Sequence, residues 1–531
     1  MTGSKIHTNR TMKTIKIIKT ILLSLVMLSP LYTQAELSSQ NVELAQGQYK
    51  GAALEQNVIG YLGIPYAKPP IGELRWQLPQ PLTTSKQTKK QLNLANEFGA
   101  RCMQNRVFDD IIFRSKQQSE DCLYLNVWSK ADNENAPVYV YFHGGGFIVG
   151  SGDEARYDGE AFAKQGIVFV SVNYRLGVFG FLSHPELSKE TQYQGSGNYG
   201  LYDQQLAIQW VKDNIKQFGG NPEHIVLGGE SAGSISVSAQ MLTSLNKNLL
   251  KGVTAQSGSM LGLDFSSRSL STGENEGLAL QQALGLQNLE QMRELTAEQI
   301  LKQATEKRFV WFRPVIDGNF FTDDPHKLYE QGKYNQVPLL TGVNSQESAY
   351  QAVLGPVANK QKLTQSDWHA AIEKLYPEDA DKVNAIYPAS TPEQIIEMAQ
   401  QLASDRFLSM STWLWADAVA QNQPKQVYYY LYARPRPNPS TDRGAAHAAE
   451  IEYALGNLRY NKVYDWQPAD YKTSEHMQKY FIQFIKTLNP NRADMPNWPL
   501  FSQDKRLVLD EVISAEDIGY LRERYRVLQN L

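Results

Sequence analysis

The stretch Ile225-Val226-Leu227-Gly228-Gly229-Glu230-Ser231-Ala232-Gly233 decides the fold of this 531-residue chain. Its three leading apolar residues are typical of a strand buried on both faces, and the residues after Ser231, up to Leu242, are expected to form a helix. The pattern Gly-x-Ser-x-Gly within it permits a sharp strand-to-helix turn that exposes the serine hydroxyl. The pattern alone is weak, but its setting favours Ser231 as a nucleophile over a helix-capping serine in a glycine-rich turn.

Comparable apolar runs recur along the chain, and helical patterns lie between them. The runs are residues 138–142, 167–172, 337–340 and 427–431, and a helical spacing of apolar residues at 206–218 ends at Gly219-Gly220. Residues 274–307 and 361–421 are expected to be helical insertions over the ends of the strands. The alternation predicts an α/β fold with a mostly parallel central sheet and helices on both faces.

The N-terminal segment has the layout of a secretory signal peptide. Basic residues between 5 and 19 precede the apolar stretch 21–31, and Thr33-Gln34-Ala35 offers a small-residue cleavage site. An uncleaved anchor is the alternative, although the apolar stretch is shorter than the roughly 20 residues that span a bilayer. We expect cleavage near Ala35-Glu36, an exported periplasmic or secreted product without a stable membrane anchor, and a single domain over residues 36–531.

The composition restricts the partners and metal sites. The net charge is -3 at pH 7, which gives no reason to expect a nucleic-acid partner. The two cysteines, Cys102 and Cys122, lack neighbours spaced as zinc ligands. In an oxidising compartment they would form a disulfide, and two buried free thiols are the alternative.

A serine nucleophile needs a general base, which in this kind of fold follows the acid along the chain. Among the histidines after Ser231, His447 lies in a loop of small residues, whereas His326, His369 and His476 have polar surroundings. The loop after the strand at 337–340 contains one carboxylate, Glu347, which would orient the imidazole. A surface histidine and a surface loop glutamate are the alternatives.

The glycine run His143-Gly144-Gly145-Gly146 follows the strand at 138–142 and is of the type that stabilises an oxyanion in esterases. The N–H of Ala232, directly after the nucleophile, would be a further donor. A phosphate-binding loop would end in Gly-Lys-Ser/Thr, but Phe147-Ile148 follows here.

With these motifs the chain resembles the type-B carboxylesterase family, which includes cholinesterases and bacterial p-nitrobenzyl esterases. The motifs that carry the resemblance are Gly63-Ile64-Pro65-Tyr66-Ala67, Leu74-Arg75-Trp76, Ser119-Glu120-Asp121-Cys122 with the residues up to Val127, residues 218–233, Pro314-Val315-Ile316-Asp317-Gly318 and Ala446-His447-Ala448-Ala449-Glu450-Ile451. The resemblance implies the α/β-hydrolase fold and hydrolysis of small-molecule esters through an acyl-enzyme, with neither metal nor organic cofactor.

The same resemblance assigns roles to individual residues. It implies a Ser231-Glu347-His447 triad, oxyanion donors at Gly145, Gly146 and Ala232, a Cys102–Cys122 disulfide, and a supporting role for Ser257. Some relatives with this fold are binding proteins that lack the triad, and the presence of all three residues favours the enzyme.

One departure from the cholinesterases concerns the choline moiety. Cholinesterases place a tryptophan in the disulfide loop, where this chain has Phe108 and Phe113 but no Trp. Choline esters are therefore not expected to be favoured substrates. Phe147 and residues 309–312 would line an apolar acyl pocket or belong to the core.

Overall fold

The computed structural model describes residues 40–82, 92–108, 110–262, 267–306, 309, 312–437 and 444–531. The predicted signal peptide at residues 1–35 lies outside the described residues. Within the part of the chain that is described, no helix is both long enough and apolar enough to cross a membrane.

The strands are numbered in chain order. They are β1 (Asn41–Leu44), β2 (Gly47–Ala53), β3 (Val58–Pro65), β4 (Leu92–Ala95), β5 (Arg101–Cys102), β6 (Gln118–Ser119), β7 (Tyr124–Lys130), β8 (Ala136–Phe142), β9 (Val168–Val172), β10 (Gly220–Gly229), β11 (Leu250–Gln256), β12 (Arg268–Ser269), β13 (Val315–Ile316), β14 (Leu339–Asn344), β15 (Val427–Tyr432), β16 (Lys505–Leu509) and β17 (Ser514–Asp517).

The α-helices are numbered in the same way. They are α1 (Glu160–Lys164), α2 (Gly177–Phe181), α3 (Pro185–Lys189), α4 (Tyr199–Asn214), α5 (Ala232–Leu242), α6 (Leu270–Ala283), α7 (Leu289–Glu294), α8 (Ala297–Ala304), α9 (Pro325–Glu330), α10 (Gln351–Leu354), α11 (Gln365–Leu375), α12 (Ala380–Ile386), α13 (Pro392–Ser404), α14 (Met410–Asn422), α15 (Ile451–Leu455), α16 (Pro468–Thr487) and α17 (Gly519–Gln529). A π-helical turn, Asp405–Ser409, joins α13 to α14.

The main sheet has a parallel centre and antiparallel edges. Its strands follow the order β1-β2-β3-β7-β9-β8-β10-β11-β14-β15-β16-β17, with β4 beside β2. The run from β9 to β16 is parallel throughout, whereas β7 and β17 pair antiparallel with its two ends. The predicted mostly parallel sheet is confirmed.

Strand β8 illustrates how the core is divided between the two faces of the sheet. Val138, Val140 and Phe142 belong to one apolar cluster, and Tyr139 and Tyr141 belong to another. Alternate side chains of a strand point to opposite faces, so each cluster lies on its own side of the sheet. Helices α4 and α5 supply the first cluster and α15 and α16 supply the second, which confirms helices on both faces.

The region 361–421 is helical as predicted, but it is divided into separate helices. Helix α11 ends at Leu375, before Pro377, and α12 ends at Ile386, before Pro388. A proline inside a helix removes a hydrogen bond and clashes with the preceding turn, so these two residues impose the breaks. Pro392 instead occupies the first turn of α13, where proline is tolerated.

The sheet brings the predicted functional loops to one edge. In the ladder, Gly229 at the end of β10 pairs with Phe142 at the end of β8, and Asn344 pairs with Tyr432 at the end of β15. Since these strands are parallel, the loops that follow them leave the sheet on the same side. The glycine run, Ser231, Glu347 and His447 all lie on those loops.

Cys102 and Cys122 form the predicted disulfide. We expect the double substitution Cys102→Ser/Cys122→Ser to lower the free energy of unfolding by roughly 3 kcal/mol, because the bond removes the closure entropy of a loop of about 20 residues from the unfolded chain. Urea unfolding followed by circular dichroism measures the change. An unchanged urea midpoint in the double variant would contradict this expectation.

Candidate active site

Ser231 occupies a strained turn between β10 and α5. Its backbone has φ 56° and ψ -121°, a conformation that costs a non-glycine residue on the order of 1–3 kcal/mol. The two glycines of the pattern are required by close approach. A Cβ on Gly233 would lie 2.0 Å from the carbonyl oxygen of Phe142, and one on Gly229 would lie 2.5 Å from Gly233. The turn therefore depends on glycine at both positions.

The structure brings Ser231, His447 and Glu347 into one chain of hydrogen bonds. The distance from His447 Nε2 to Ser231 Oγ is 3.0 Å, and that from His447 Nδ1 to Glu347 Oε2 is 2.7 Å. With Nδ1–H donating to the carboxylate, Nε2 is left to accept the proton of the serine hydroxyl. The Glu347 side chain is fully buried, and that of His447 is 25% exposed.

Glu347 is held by donors on its second oxygen. Oε1 accepts hydrogen bonds from the Ser257 hydroxyl at 2.5 Å and from the backbone N–H of Asn344 at 2.6 Å. This fixes the carboxylate so that Oε2 faces His447. The contact with Ser257 agrees with the supporting position that the family resemblance implies for that serine.

Two further buried carboxylates, those of Glu230 and Glu450, lie near His447. Glu230 Oε1 lies 3.3 Å from His447 Nε2, and Glu450 accepts hydrogen bonds from the side chains of Asn344 and Gln256. Burial disfavours the charged imidazolium, but the charge of Glu230 and the hydrogen bond to Glu347 outweigh it and raise the pKa of His447. Burial also raises the pKa of the Glu230 carboxyl.

Sequence reasoning did not single out Glu230 or Glu450 as members of the site. Glu230 is the first variable position of the Gly-x-Ser-x-Gly pattern, and Glu450 follows His447 by three residues. A carboxylate next to a predicted nucleophile was the available signal for Glu230. The other histidines weighed as the base lie elsewhere, on helices α9, α11 and α16.

The glycine run lies against the nucleophile. A Cβ on Gly144 would be 3.2 Å from Ser231 Cβ, and one on Gly145 would be 2.0 Å from the carbonyl oxygen of Val149. Gly145 and Gly146 have φ values of 103° and 63°, which favour glycine. Within the described part of the chain, no backbone carbonyl accepts a hydrogen bond from the N–H of Gly145, Gly146 or Ala232.

His143 braces the start of this loop. Its ring stacks on Tyr174 at 4.3 Å, and its Nδ1–H donates to the carbonyl of Gly144 at 2.8 Å. Tyr174 in turn donates to the His143 carbonyl at 2.7 Å. Burial lowers the pKa of His143 to about 4, so the ring is neutral at pH 7. These contacts indicate a structural position for His143.

The backbone directly after His447 is also strained. Ala448 has φ 63°, a left-handed conformation that costs an L-residue roughly 1–2 kcal/mol. Its carbonyl accepts a hydrogen bond of 2.8 Å from the Arg436 guanidinium. A hydrogen bond to a charged donor contributes about 1.5–3 kcal/mol, which is enough to offset that strain.

A mostly apolar cavity of about 190 Å³ lies beside Ile148, two residues after the glycine run. It lies between the disulfide loop, Ile148 and helix α8, and its apolar lining includes Met103, Val107, Leu176, Leu301 and Phe309. Phe147 instead packs in the core against Phe181, with ring centroids 5.0 Å apart. Of the predicted acyl-pocket run 309–312, Phe312 is buried and residues 310 and 311 lie outside the described residues.

The helical insertions reach the site as predicted. Helix α8 lines the cavity beside Ile148. The ring of Phe407, in the π-helical turn before α14, lies edge-to-face with His447 at 5.3 Å. The insertion at 361–421 therefore packs directly against His447, and the one at 274–307 lines the cavity beside Ile148.

Residues 38–525 match the sequence model of the Carboxylesterase family. The chain belongs to the carboxylesterase family. It is 32% identical over 506 residues to the para-nitrobenzyl esterase of Bacillus subtilis (strain 168), covering 91% of this chain and 97% of that enzyme. It is 30% identical to the fumonisin B1 esterase of Sphingopyxis macrogoltabida, covering 88% and 86% of the two chains. It is also 30% identical to the cholinesterase of Mus musculus, covering 85% and 79%.

Membership of the carboxylesterase family confirms the predicted α/β-hydrolase fold and the predicted enzyme class, a carboxylic-ester hydrolase. The match extends over both the strands that carry the site and the helical insertions. The resemblance inferred from the motifs of the sequence is confirmed as well.

Proposed function

We propose that this carboxylesterase hydrolyses small-molecule esters with Ser231 as the nucleophile, His447 as the general base and Glu347 as the residue that orients the base. The observation that carries the proposal is the continuous hydrogen-bond chain from Ser231 Oγ through His447 to Glu347, with distances of 3.0 and 2.7 Å. Both distances are within the range for direct proton transfer and orientation.

In the first half of the reaction, Ser231 Oγ attacks the ester carbonyl carbon while His447 Nε2 takes the hydroxyl proton. The tetrahedral intermediate then breaks its bond to the alcohol oxygen, which receives that proton from His447. Glu347 remains ionised and stabilises the imidazolium. The acyl group is left on Ser231.

In the second half, water enters in place of the alcohol. His447 takes a proton from the water, the hydroxide attacks the acyl carbon, and the bond to Ser231 Oγ breaks as His447 returns the proton to it. The products are the carboxylic acid and the free serine, so the sequence regenerates the enzyme.

The N–H groups of Gly145, Gly146 and Ala232 stabilise the oxyanion of both tetrahedral intermediates. Their freedom from backbone acceptors in the described residues supports this assignment. The N-terminus of α5, where Ser231 is the capping residue, adds a favourable dipole for the negative charge.

The proposal is tested by incubating the purified protein with a fluorophosphonate and, separately, with p-nitrophenyl butyrate. We expect one equivalent of phosphonyl adduct, located on Ser231 by peptide mass spectrometry, and loss of p-nitrophenol release in step with labelling. An unlabelled Ser231, or an adduct on another serine, would overturn the assignment.

The oxyanion assignment predicts the effect of Gly145→Ala. The added methyl group would collide with the Val149 carbonyl and displace the loop from Ser231. We expect kcat to fall by about 10²–10³-fold, as when one oxyanion donor is lost, with little change in KM. Gly285→Ala is the matched control, because Gly285 also has a positive φ of 73° but its Cβ would meet nothing within 4 Å. Equal losses in both variants would contradict the assignment.

Choline esters are poor candidates for the substrate. The guanidinium of Arg101 already lies over the ring of Phe113, 4.9 Å from its centroid, and Phe108 is 42% exposed. A cation on Phe113 would repel a second cation, so the ring of Phe113 offers no free face to a quaternary ammonium. An ester with an apolar acyl or alcohol group suits the cavity beside Ile148 better.

We also infer that residues 36–531 form one domain and that the protein is exported, periplasmic or secreted, after signal cleavage near Ala35-Glu36. Val42 near one end of the described chain and Leu528 near the other belong to the same apolar cluster, which supports a single domain. The Cys102–Cys122 disulfide suits an oxidising compartment. Edman sequencing of the mature protein from a periplasmic or culture-medium fraction tests the cleavage site.

A further inference from the structure

Arg436 lies at the start of the segment that leads from β15 to His447. Its neighbours in the chain are Pro435 and Pro437. Each proline fixes its own φ and confines the residue before it to extended conformations. The backbone of Arg436 is therefore restricted before any side-chain contact is made, and so is the direction in which the side chain leaves it.

The guanidinium of Arg436 is buried and bridges two acceptors. Its Nη2 donates to the Ala448 carbonyl at 2.8 Å and to Glu452 Oε2 at 2.7 Å, and its Cζ lies 5.2 Å from the ring centroid of Tyr464. The side chains of Arg436 and Glu452 are only 12% and 2% exposed. Glu452 is held in its turn by the side-chain amide of Asn461 at 2.9 Å.

These contacts join the two ends of the loop that carries His447. Arg436 precedes the loop, Ala448 is the residue directly after His447, and Glu452 belongs to α15, the helix that follows. Ala448 is in the left-handed region, with φ 63°. This conformation sets the direction of the Ala448 carbonyl. The Arg436 guanidinium lies in that direction and donates a hydrogen bond to the carbonyl oxygen.

We propose that Arg436 is a positioning residue for the general base: it holds Ala448 in its left-handed conformation and thereby keeps His447 between Ser231 and Glu347. This role rests on the proposed function, since it acts through His447. Glu452 serves as the anchor that fixes the guanidinium, and substrate is not contacted by either residue.

The planar guanidinium suits this role better than an ammonium group. One edge of it reaches the carbonyl and the carboxylate together while its face packs on Tyr464, which an ammonium on a flexible stem does not reproduce. A lysine at 436 retains the charge and loses the fixed geometry. Arg436→Lys is therefore expected to lower kcat, but by less than Arg436→Met does.

Arg434 is a matched control two residues earlier in the chain. It also precedes a proline, and its guanidinium also pairs with a buried carboxylate, Asp470, at 2.6 Å. Among the described residues its ion pairs run to Asp470, Asp510 and Glu511, none of which is on the His447 loop. Arg434→Met removes a comparable ion pair without removing the contact with Ala448.

The experiment compares kcat and KM for p-nitrophenyl butyrate in the wild type, Arg436→Met, Arg436→Lys and Arg434→Met, with kcat referred to the number of fluorophosphonate-reactive sites. We expect Arg436→Met to lower kcat by about 10–100-fold with little change in KM, since a misplacement of about 1 Å at the reacting groups costs on the order of 100-fold. Arg434→Met is expected to keep kcat within about 2-fold of the wild type while its thermal midpoint falls.

A second-site test separates positioning from general stability. Glycine adopts a positive φ without strain, so Ala448→Gly removes much of the need for the guanidinium. The loss caused by Arg436→Met is expected to be several-fold smaller in the Ala448→Gly background than in the wild type. A merely structural ion pair would give the same loss in both backgrounds.

Wild-type kcat in Arg436→Met, or equal losses of kcat in Arg436→Met and Arg434→Met, would overturn the proposal. If Arg436→Met does not fold, Arg436→Lys decides: unchanged kcat with a lowered thermal midpoint overturns the positioning role, and a lowered kcat at unchanged KM supports it. Failure of the proposed function is distinguishable, because the wild-type protein itself would then show no phosphonyl adduct on Ser231.

Discussion

Ser231→Ala is expected to lower kcat by about 10⁶-fold, the size of the loss when a serine hydrolase loses its nucleophile. The alanine has no atom that can form the acyl intermediate, and His447 Nε2 loses the hydroxyl it accepts from at 3.0 Å. The glycine run is unchanged in this variant, so a small residual rate above the uncatalysed reaction should persist. Steady-state release of p-nitrophenol from p-nitrophenyl butyrate measures the loss.

The control for this variant is a buried serine within α5, the helix that follows Ser231. Ser238 lies seven residues after Ser231; its hydroxyl donates to the Ile235 carbonyl and accepts from the N–H of Met260. Ser238→Ala is expected to keep kcat near the wild-type value and to lower stability by about 1 kcal/mol, as for one hydrogen bond. Turnover retained by Ser231→Ala and lost by Ser238→Ala would place the nucleophile elsewhere.

The sequence was sufficient to predict that Ser231, Glu347 and His447 lie together, because each follows a recognisable strand. Parallel strands deliver their following loops to one edge, so a serine after β10, a carboxylate after β14 and a histidine after β15 must meet there. The glycine run after β8 was predictable for the same reason. Chain order then excluded the histidines before Ser231, and the loop of small residues distinguished His447 from those after it.

The contacts that refine the site were not predictable in this way. Arg436 and Ala448 are twelve residues apart with a loop between them, and only the folded backbone gives the carbonyl of Ala448 its direction. Glu230 was visible in the sequence, but its distance to His447, 217 residues later, depends on the turn at Ser231. A pattern places a residue on a loop, whereas packing decides which atoms of neighbouring loops meet.

The bounds of strand β14 also differ from those that the sequence pattern predicts. The apolar run at 337–340 predicts a strand there, but β14 begins at Leu339 and continues through Gly342 to Asn344. Pro338 has no N–H to donate to the ladder, which suits a position just before the strand. The strand extends beyond residue 340 because Gly342, Val343 and Asn344 pair with β15. This is a long-range contact that a local sequence pattern does not contain.

Glu347→Gln is expected to lower kcat by about 10⁴-fold, as an amide in place of the orienting carboxylate does in other triads. The physical reason lies in the donors around Glu347. The Ser257 hydroxyl and the Asn344 N–H both donate to Oε1, so the amide oxygen of the new side chain must face them. Its NH₂ group then faces His447 Nδ1, which has to accept instead of donate. The proton moves to Nε2, and Nε2 no longer accepts the proton of Ser231.

The pH dependence gives this variant a second signature. Glu347 is among the groups that raise the pKa of His447, since a negative charge and an accepted hydrogen bond both favour the imidazolium. Activity requires the neutral ring, so the wild type should lose kcat/KM as the pH falls through a pKa above the ordinary value for histidine. Removing the charge lowers that pKa, and the acidic limb of Glu347→Gln should move to lower pH.

Glu450→Gln separates orientation from charge. Glu450 also raises the pKa of His447, but its hydrogen bonds run to Asn344 and Gln256 and not to the imidazole. This variant should shift the acidic limb in the same direction as Glu347→Gln while keeping most of kcat at the plateau. If Glu450→Gln instead loses as much kcat as Glu347→Gln, the carboxylates act through their summed charge, and Glu347 has no special role in fixing the tautomer. A large loss of kcat in Glu347→Gln alone would show that catalysis depends on the direct contact between Glu347 and His447 Nδ1.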